Sequence, residues 1–333
     1  MTRTAISNSP ADPNTAREAP KANTVPKATN EELEVKLEVL RTELAAFGHV
    51  VVAFSGGADS AFVAHVATDV LGVSNVLCVT AVSASLAPEE LADCTALASE
   101  WGLRWIAVET TELSDPAYAA NGTDRCYHCK SSLLKAFEPL VAVESATVVL
   151  GVNVDDLADH RPGQTAAAER DARFPLVIAG FTKADVREAS RRLGLRTWDK
   201  PAAACLASRV PHGTRVTLGT LTKVADAESA LRVLGFRQLR VRHYGELARV
   251  ELEPSDLAAA VARRDEVVAA VQSAGYRYVT LDLEGFRSGN LNGTLHDRAG
   301  SEDPALVPDL VDTSELADAS GRSDVHTAPG DPR

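Results

Sequence analysis

The chain has 333 residues, 45% of them apolar and 24% charged, which is length for about two domains and enough hydrophobic surface for a sizeable core. The net charge of −12 argues against a broad nucleic-acid surface, and eight acids against two arginines in residues 301–333 place half of that charge in one stretch. Five cysteines, odd in number and sparse, argue against a disulfide scaffold; with no bilayer-long apolar run and no apolar N-terminal h-region, the expected setting is reducing cytoplasm, with no membrane contact.

Residues 1–30 are rich in Ala, Pro, Thr and Asn without periodicity and read as disordered. A helix opens at Asn30, read as its N-cap, and carries Leu33, Leu37, Leu40 and Leu44 on one face. A strand at about 49–55, a helix to about Leu71, a strand at 76–82, a helix at 88–101 with Pro88 in its first turn and a strand at about 104–109 follow. A loop-rich stretch runs to Lys130, then a helix from Ser131 to about Val143 and the strand Thr147–Gly151. This alternation predicts an α/β fold with a doubly wound parallel sheet over residues 31–212, whose ligands sit at the carboxyl ends of the strands. A helix over about 182–193 is capped by Thr182. From Thr217 the order changes to helix, strand 238–242, strand 248–252, a helix capped by Ser255 and a strand 276–281, a second, smaller α+β domain over 213–290 with an antiparallel hairpin. Residues 291–333 read as a disordered acidic tail.

The first strand runs straight into Ser55-Gly56-Gly57-Ala58-Asp59-Ser60. Strand, glycine turn and helix N-terminus form a phosphate cradle: the glycines let backbone N–H groups approach an anion, and the helix end adds unpaired donors. No lysine follows the glycines, so this is not a Gly-x-x-x-x-Gly-Lys loop; the string resembles the PP-loop of ATP pyrophosphatases, which cut ATP between its α and β phosphates. Past the strand ending at Gly151, Asn153, Asp155, Asp156 and Asp159 form a polar cluster suited to Mg²⁺ shared with ATP and to ribose hydroxyls.

Cys126 and Cys129 form one Cys-x-x-Cys in the loop before a helix, and Cys205 lies far along the chain. A redox dithiol is disfavoured, because the motif does not open the first βα unit. Zinc held by Cys126, Cys129, Cys205 and a histidine such as His128 or His212, and a [4Fe–4S] cluster held by three thiolates, both fit the spacing. Cys78 in a strand and Cys94 in a helix read as small buried hydrophobes.

Taken in order, Ser55–Ser60, Arg125–Lys130, Gly151–Asp156, Asp159-His160-Arg161-Pro162-Gly163, Lys200-Pro201 with Cys205-Leu206-Ala207-Ser208-Arg209, and Arg240-Val241-Arg242 closely resemble the LarE family over about residues 31–290. That family comprises ATP-dependent sulfur transferases of nickel-pincer cofactor synthesis. The resemblance implies adenylation of a carboxylate of a pyridinium dicarboxylate mononucleotide, followed by displacement of AMP by sulfur. It implies ATP and Mg²⁺ at Ser55, Gly56, Gly57, Asp59, Ser60, Asn153, Asp156 and Arg161, and catalytic roles for Cys205, Asp59, Ser208 and Arg209. Arg240 and Arg242, two apart on one strand, match arginines that hold the substrate phosphate, with Glu228 and Glu251 orienting them. Some family members sacrifice one cysteine, and others carry an extra sulfide on a three-cysteine [4Fe–4S] cluster. The three cysteines imply the cluster form, with Cys126, Cys129 and Cys205 as ligands, ahead of zinc. The sacrificial route through Cys205 stays as an alternative, and it closes if the sacrificial position matches Ala204 instead. A homo-oligomer is implied. A PP-loop tRNA thiolase is the competing reading, set against the absence of a basic, aromatic-interleaved stretch.

Overall fold

The computed structural model describes residues 29–158 and 162–287. Chain order is α1 (Asn30–Phe47), β1 (Val50–Ala53), α2 (Ala58–Leu71), β2 (Val76–Val82), α3 (Pro88–Glu100), β3 (Trp105–Glu109), α4 (Pro116–Ala119), α5 (Arg125–Glu144), β4 (Thr147–Val149), α6 (Pro162–Ala168), α7 (Pro175–Ile178), α8 (Lys183–Arg192), α9 (Leu218–Val233), β5 (Leu239–Tyr244), β6 (Leu247–Leu252), α10 (Leu257–Ala262), α11 (Arg264–Ser273) and β7 (Tyr278–Leu281). The first sheet is parallel throughout in the order β3-β2-β1-β4, with Val50 opposite both Val76 and Thr147. This is the predicted α/β sheet. Successive strand residues point to opposite faces: Val50, Val52 and Cys78 pack with α1, α2 and α3, while Val51, Leu77 and Val79 pack on Phe137 of α5. Strand order reverses between β1 and β4, so their carboxyl ends flank the crevice where such sheets bind ligands.

The second sheet has the order β5-β6-β7, with β5 and β6 antiparallel and β7 parallel to β6. One face carries Leu239, Val241, Ala248, Val250 and Leu252 and packs with residues of α9 and α11. The other carries Arg240, Arg242, Arg249 and Glu251. The described residues up to Phe286 belong to one compact unit. No helix among the described residues is long and apolar enough to cross a membrane.

Several boundaries differ from the sequence expectation for physical reasons. Thr29, not Asn30, caps α1, because its hydroxyl accepts from the Glu32 N–H while the Glu32 carboxylate accepts from the Thr29 N–H. Helix α5 begins at Arg125, so Cys126 and Cys129 occupy its first turns and not a preceding loop. Ser255 is no cap: it lies in a 3₁₀ turn, Pro254–Asp256, and the helix after it breaks at Arg263 into α10 and α11.

Thr182 caps α8 as expected, in a capping box with Asp185. Burial would raise the Asp185 pKa, but hydrogen bonds from Lys36 and Thr182 outweigh it and hold the group below its ordinary 3.8. A carboxylate held low in the fold stabilises above that value and loses its contribution as pH falls through the depressed pKa. Urea titrations at pH 7 and pH 3 should therefore show Asp185→Asn less stable than the parent at pH 7, with a smaller gap at pH 3. Thr182→Ala should lose about 1 kcal/mol at pH 7. An equal gap at both pH values would remove the ion pair from the account.

Candidate active site

The Ser-Gly-Gly turn leaves β1 and becomes the N-terminus of α2. Gly56 sits at φ +67°, where only glycine is unstrained. A side chain on Gly56 would also meet the Cys94 Sγ, and the Lys200 ammonium donates to the Gly56 carbonyl at 3.2 Å, so the turn is clamped from below and from the side. The Ser55 and Ser60 hydroxyls are 3.0 Å apart, and Ser60 Oγ accepts from the Ser55 N–H. The turn opens on a cavity of about 230 Å³ at the carboxyl ends of β1, β2 and β4, lined by Ser55, Gly57, Asp59, Ser60, Gly151 and Lys130 among others. Gly151 has no room for a side chain: an added Cβ would lie 2.7 Å from the Asp59 carbonyl carbon and the Ser60 nitrogen.

The acidic cluster is built as a turn. Asn153 Oδ1 accepts from the Asp155 and Asp156 N–H groups, Asp156 accepts from the Asn153 N–H, and the Asn153 amide points to Asp59 at 3.4 Å. Asp59 is ion-paired with Lys183 at the start of α8, and Asp155 accepts from the Lys183 N–H. Asp59 and Asp156 are therefore brought together through Asn153. Arg161, Asp159 and His160 lie outside the described residues.

The cysteine-bearing segments meet through two residues that sequence reasoning passed over. Asn121, fully buried at φ +58°, donates to the carbonyls of Val210, Pro211 and Thr214. Arg125, also buried, donates to Asn121 Oδ1 at 2.7 Å and to the Ala207 carbonyl at 2.8 Å. They tie the first turn of α5 to the 3₁₀ turn Leu206–Arg209, and so bring Cys126 and Cys129 to Cys205. Burial, with Cys205 and Glu112 close by, pushes the Cys129 thiol up to about 12. Cys126 and Cys205 are exposed, and all three cysteines are free. Among the described residues no three His, Cys, Asp or Glu side chains are already gathered at metal-holding geometry. Three free thiols converging from two tied segments, two of them exposed, are a donor set that fits a thiolate-held iron–sulfur group. His128 does not fit as a fourth zinc ligand, because its ring nitrogens lie 3.2 and 3.3 Å from the Asp115 and Asp124 carboxylates. Buried Ser85, Tyr118 and Glu112 line the same neighbourhood, with Ser85 2.6 Å from the Tyr118 hydroxyl and Glu112 Oε2 buried without a hydrogen-bond partner among the described residues.

Beyond Cys205 the chain meets the polar face of the second sheet. Arg242 forms a bidentate pair with buried Glu251 and donates to the Ser208 carbonyl at 2.8 Å. Arg209 forms a bidentate pair with buried Glu228 and donates to the Ala204 and Cys205 carbonyls. Glu251 orients Arg242 as expected. Glu228 instead pairs with Arg209, also accepting from Arg232 and from the Val241 N–H, because α9 carries it between the 3₁₀ turn and the backbone of β5. Arg240 stacks on Phe286 at 4.6 Å and has no hydrogen bond or ion pair among the described residues. Burial, with Arg209 and Arg242 as neighbours, pulls its pKa down to about 10. A buried guanidinium beside two others favours an anion.

A parallel sheet whose switch-point crevice is floored by Ser-Gly-Gly-x-Asp-Ser defines a PP-loop enzyme that uses ATP. Residues 32–132 match the NAD synthase family. The chain is 47% identical over 266 residues to an uncharacterised protein of Synechocystis, covering 79% of this chain and 99% of that one. It is 39% identical over 264 residues to the pyridinium-3,5-bisthiocarboxylic acid mononucleotide synthase of Lactiplantibacillus plantarum, covering 79% of this chain and 96% of that one. An uncharacterised protein of Methanocaldococcus jannaschii is 26% identical over 244 residues. The chain belongs to the LarE family.

Proposed function

We propose that this enzyme adenylates the carboxylates of pyridinium-3,5-dicarboxylic acid mononucleotide and exchanges oxygen for sulfur, a step of nickel-pincer cofactor synthesis. The observation that carries the reading is the continuity of three sites. The PP-loop cavity reaches Lys130, one residue from Cys129; Cys129 neighbours Cys205; and Cys205 adjoins Arg209 and the Arg240–Arg242 face. A carboxylate oxygen is a poor leaving group, and adenylation turns it into AMP. The PP-loop N–H groups hold the departing pyrophosphate and stabilise its growing charge. Asp59, Asn153 and Asp156, with Arg161, are the residues for Mg²⁺ and ATP, and Ser55, Gly56, Gly57 and Ser60 for the phosphates. Arg240 and Arg242 take the mononucleotide phosphate, Arg242 held by Glu251, and this places the pyridinium ring toward Cys205, Ser208 and Arg209. Cys126, Cys129 and Cys205 would hold a [4Fe–4S] cluster, which when bound supplies sulfide for transfer. Residues 31–212 would carry ATP chemistry and residues 213–290 the substrate phosphate and subunit contacts of a homo-oligomer in the cytoplasm.

The test is anaerobic turnover of the iron-reconstituted protein with ATP, Mg²⁺, sulfide and the dicarboxylate mononucleotide, following AMP, thiolated product and protein mass. Multiple turnovers at constant mass are expected, and Cys126→Ala, Cys129→Ala and Cys205→Ala should each abolish iron loading. One turnover with loss of H₂S mass at Cys205 would mean the sacrificial route. Absence of both AMP and product would overturn the reading in favour of a tRNA thiolase.

A further inference from the structure

Three lysines surround the PP-loop, and two of them are already neutralised. Lys183 is paired with Asp59, and Lys200 with Glu90 and Asp93 at 2.8 and 2.6 Å. Lys130 is different. Its side chain lines the cavity with Ser55, Asp59 and Ser60, and it has no hydrogen bond or ion pair among the described residues. Helix α5 fixes its direction, since Arg125 in the same helix is tied to Asn121 and Ala207. Gly163 lies beside its stem: a Cβ there would be in ordinary contact with the Lys130 Cβ at 3.6 Å and would press on the Cys126 carbonyl at 3.1 Å.

We propose that Lys130 is a catalytic cation of the adenylation step, its ammonium contacting the α-phosphate of ATP and the carboxylate that attacks it. The proposal rests on the function given above for the identity of the carboxylate, but not for the phosphate contact. The physical need is general. A carboxylate and an α-phosphate are both anions, and their approach in a water-poor cavity is repulsive unless a cation stands between them. In the step, a carboxylate oxygen forms a bond to the α-phosphorus. The bond from that phosphorus to the bridging oxygen breaks, and its electron pair leaves on pyrophosphate. No proton or redox partner is needed, so the demand on the protein is for charge and position. The PP-loop N–H groups serve the leaving pyrophosphate; Lys130 serves the two groups that join.

The test compares wild type with Lys130→Met, which keeps the stem, and Lys130→Arg, which keeps the charge. Binding is read by calorimetry with AMP and with adenosine, and chemistry by carboxylate-dependent exchange of labelled pyrophosphate into ATP. Lys130→Met should bind AMP about tenfold to a hundredfold more weakly with adenosine affinity unchanged, the loss expected for one charge-assisted phosphate contact. Exchange should fall at least as far, and Lys130→Arg should restore much of the AMP affinity. Unchanged AMP affinity in Lys130→Met would overturn the proposal. So would a parallel loss of adenosine binding, which would mark a distorted cavity. If the AMP arm behaves as expected while wild type shows no exchange with the pyridinium dicarboxylate, the substrate assignment fails and the Lys130 contact stands.

Discussion

Gly151→Ala should lower the rate of AMP formation by about a hundredfold, because about 1 Å of displacement at a reacting centre is enough for a loss of that size. The new methyl group would sit 2.7 Å from the Asp59 carbonyl carbon and the Ser60 nitrogen and 2.9 Å from the Ser60 Cα. All three are backbone atoms in the first turn of α2, so no side chain can swing aside. Either β4 or the helix must move, and the helix carries the PP-loop donors. Overpacking of this kind destabilises by about 1–3 kcal/mol. The thermal midpoint should therefore drop by only a few degrees while activity collapses, and ATP affinity should fall with it. Full activity in a folded Gly151→Ala protein would show that the loop does not need its contact with β4.

Glu228→Gln should damage stability more than activity assays alone would reveal. Glu228 is wholly buried and accepts from Arg209, Arg232 and the Val241 N–H. Removing its charge leaves buried Arg209 without its partner, and breaking such a pair typically destabilises by about 3–5 kcal/mol. A fall of about 10 °C in the midpoint is expected for a chain of this size. The double variant Arg209→Met with Glu228→Leu should recover part of that loss, since an uncompensated buried charge is worse than an apolar pair. It should remain inactive, because Arg209 also holds the Ala204 and Cys205 carbonyls. If Glu228→Gln melts with the parent, the pair is not what seats Cys205.

Much of this protein was written locally in its sequence. The strand–glycine–helix turn at Ser55–Ser60 needs only adjacent residues, so its position on β1 and α2 followed directly from the motif. The alternation of apolar runs gave the parallel sheet, and the spacing of Arg240 and Arg242 put both on one face of β5. The start of α5 was missed because Arg125-Cys126-Tyr127-His128-Cys129 has no apolar period of its own; the helix there is held by long-range bonds from Arg125 and Asn121. No local signal distinguishes such an asparagine from a turn former.

Burial and pairing were decided only in three dimensions. Which glutamate serves which arginine depends on how α9 and β5 pack, and packing gave Glu228 to Arg209. Which lysine keeps its charge free depends on where the acids of α2 and α3 fall, and they fall on Lys183 and Lys200 but not on Lys130. The sequence by itself determined the chemistry available: a phosphate loop, three thiols and paired arginines. The tertiary structure decided which of those groups stand together and which charges remain uncompensated, because charge pairing is a property of distance and burial and not of order along the chain.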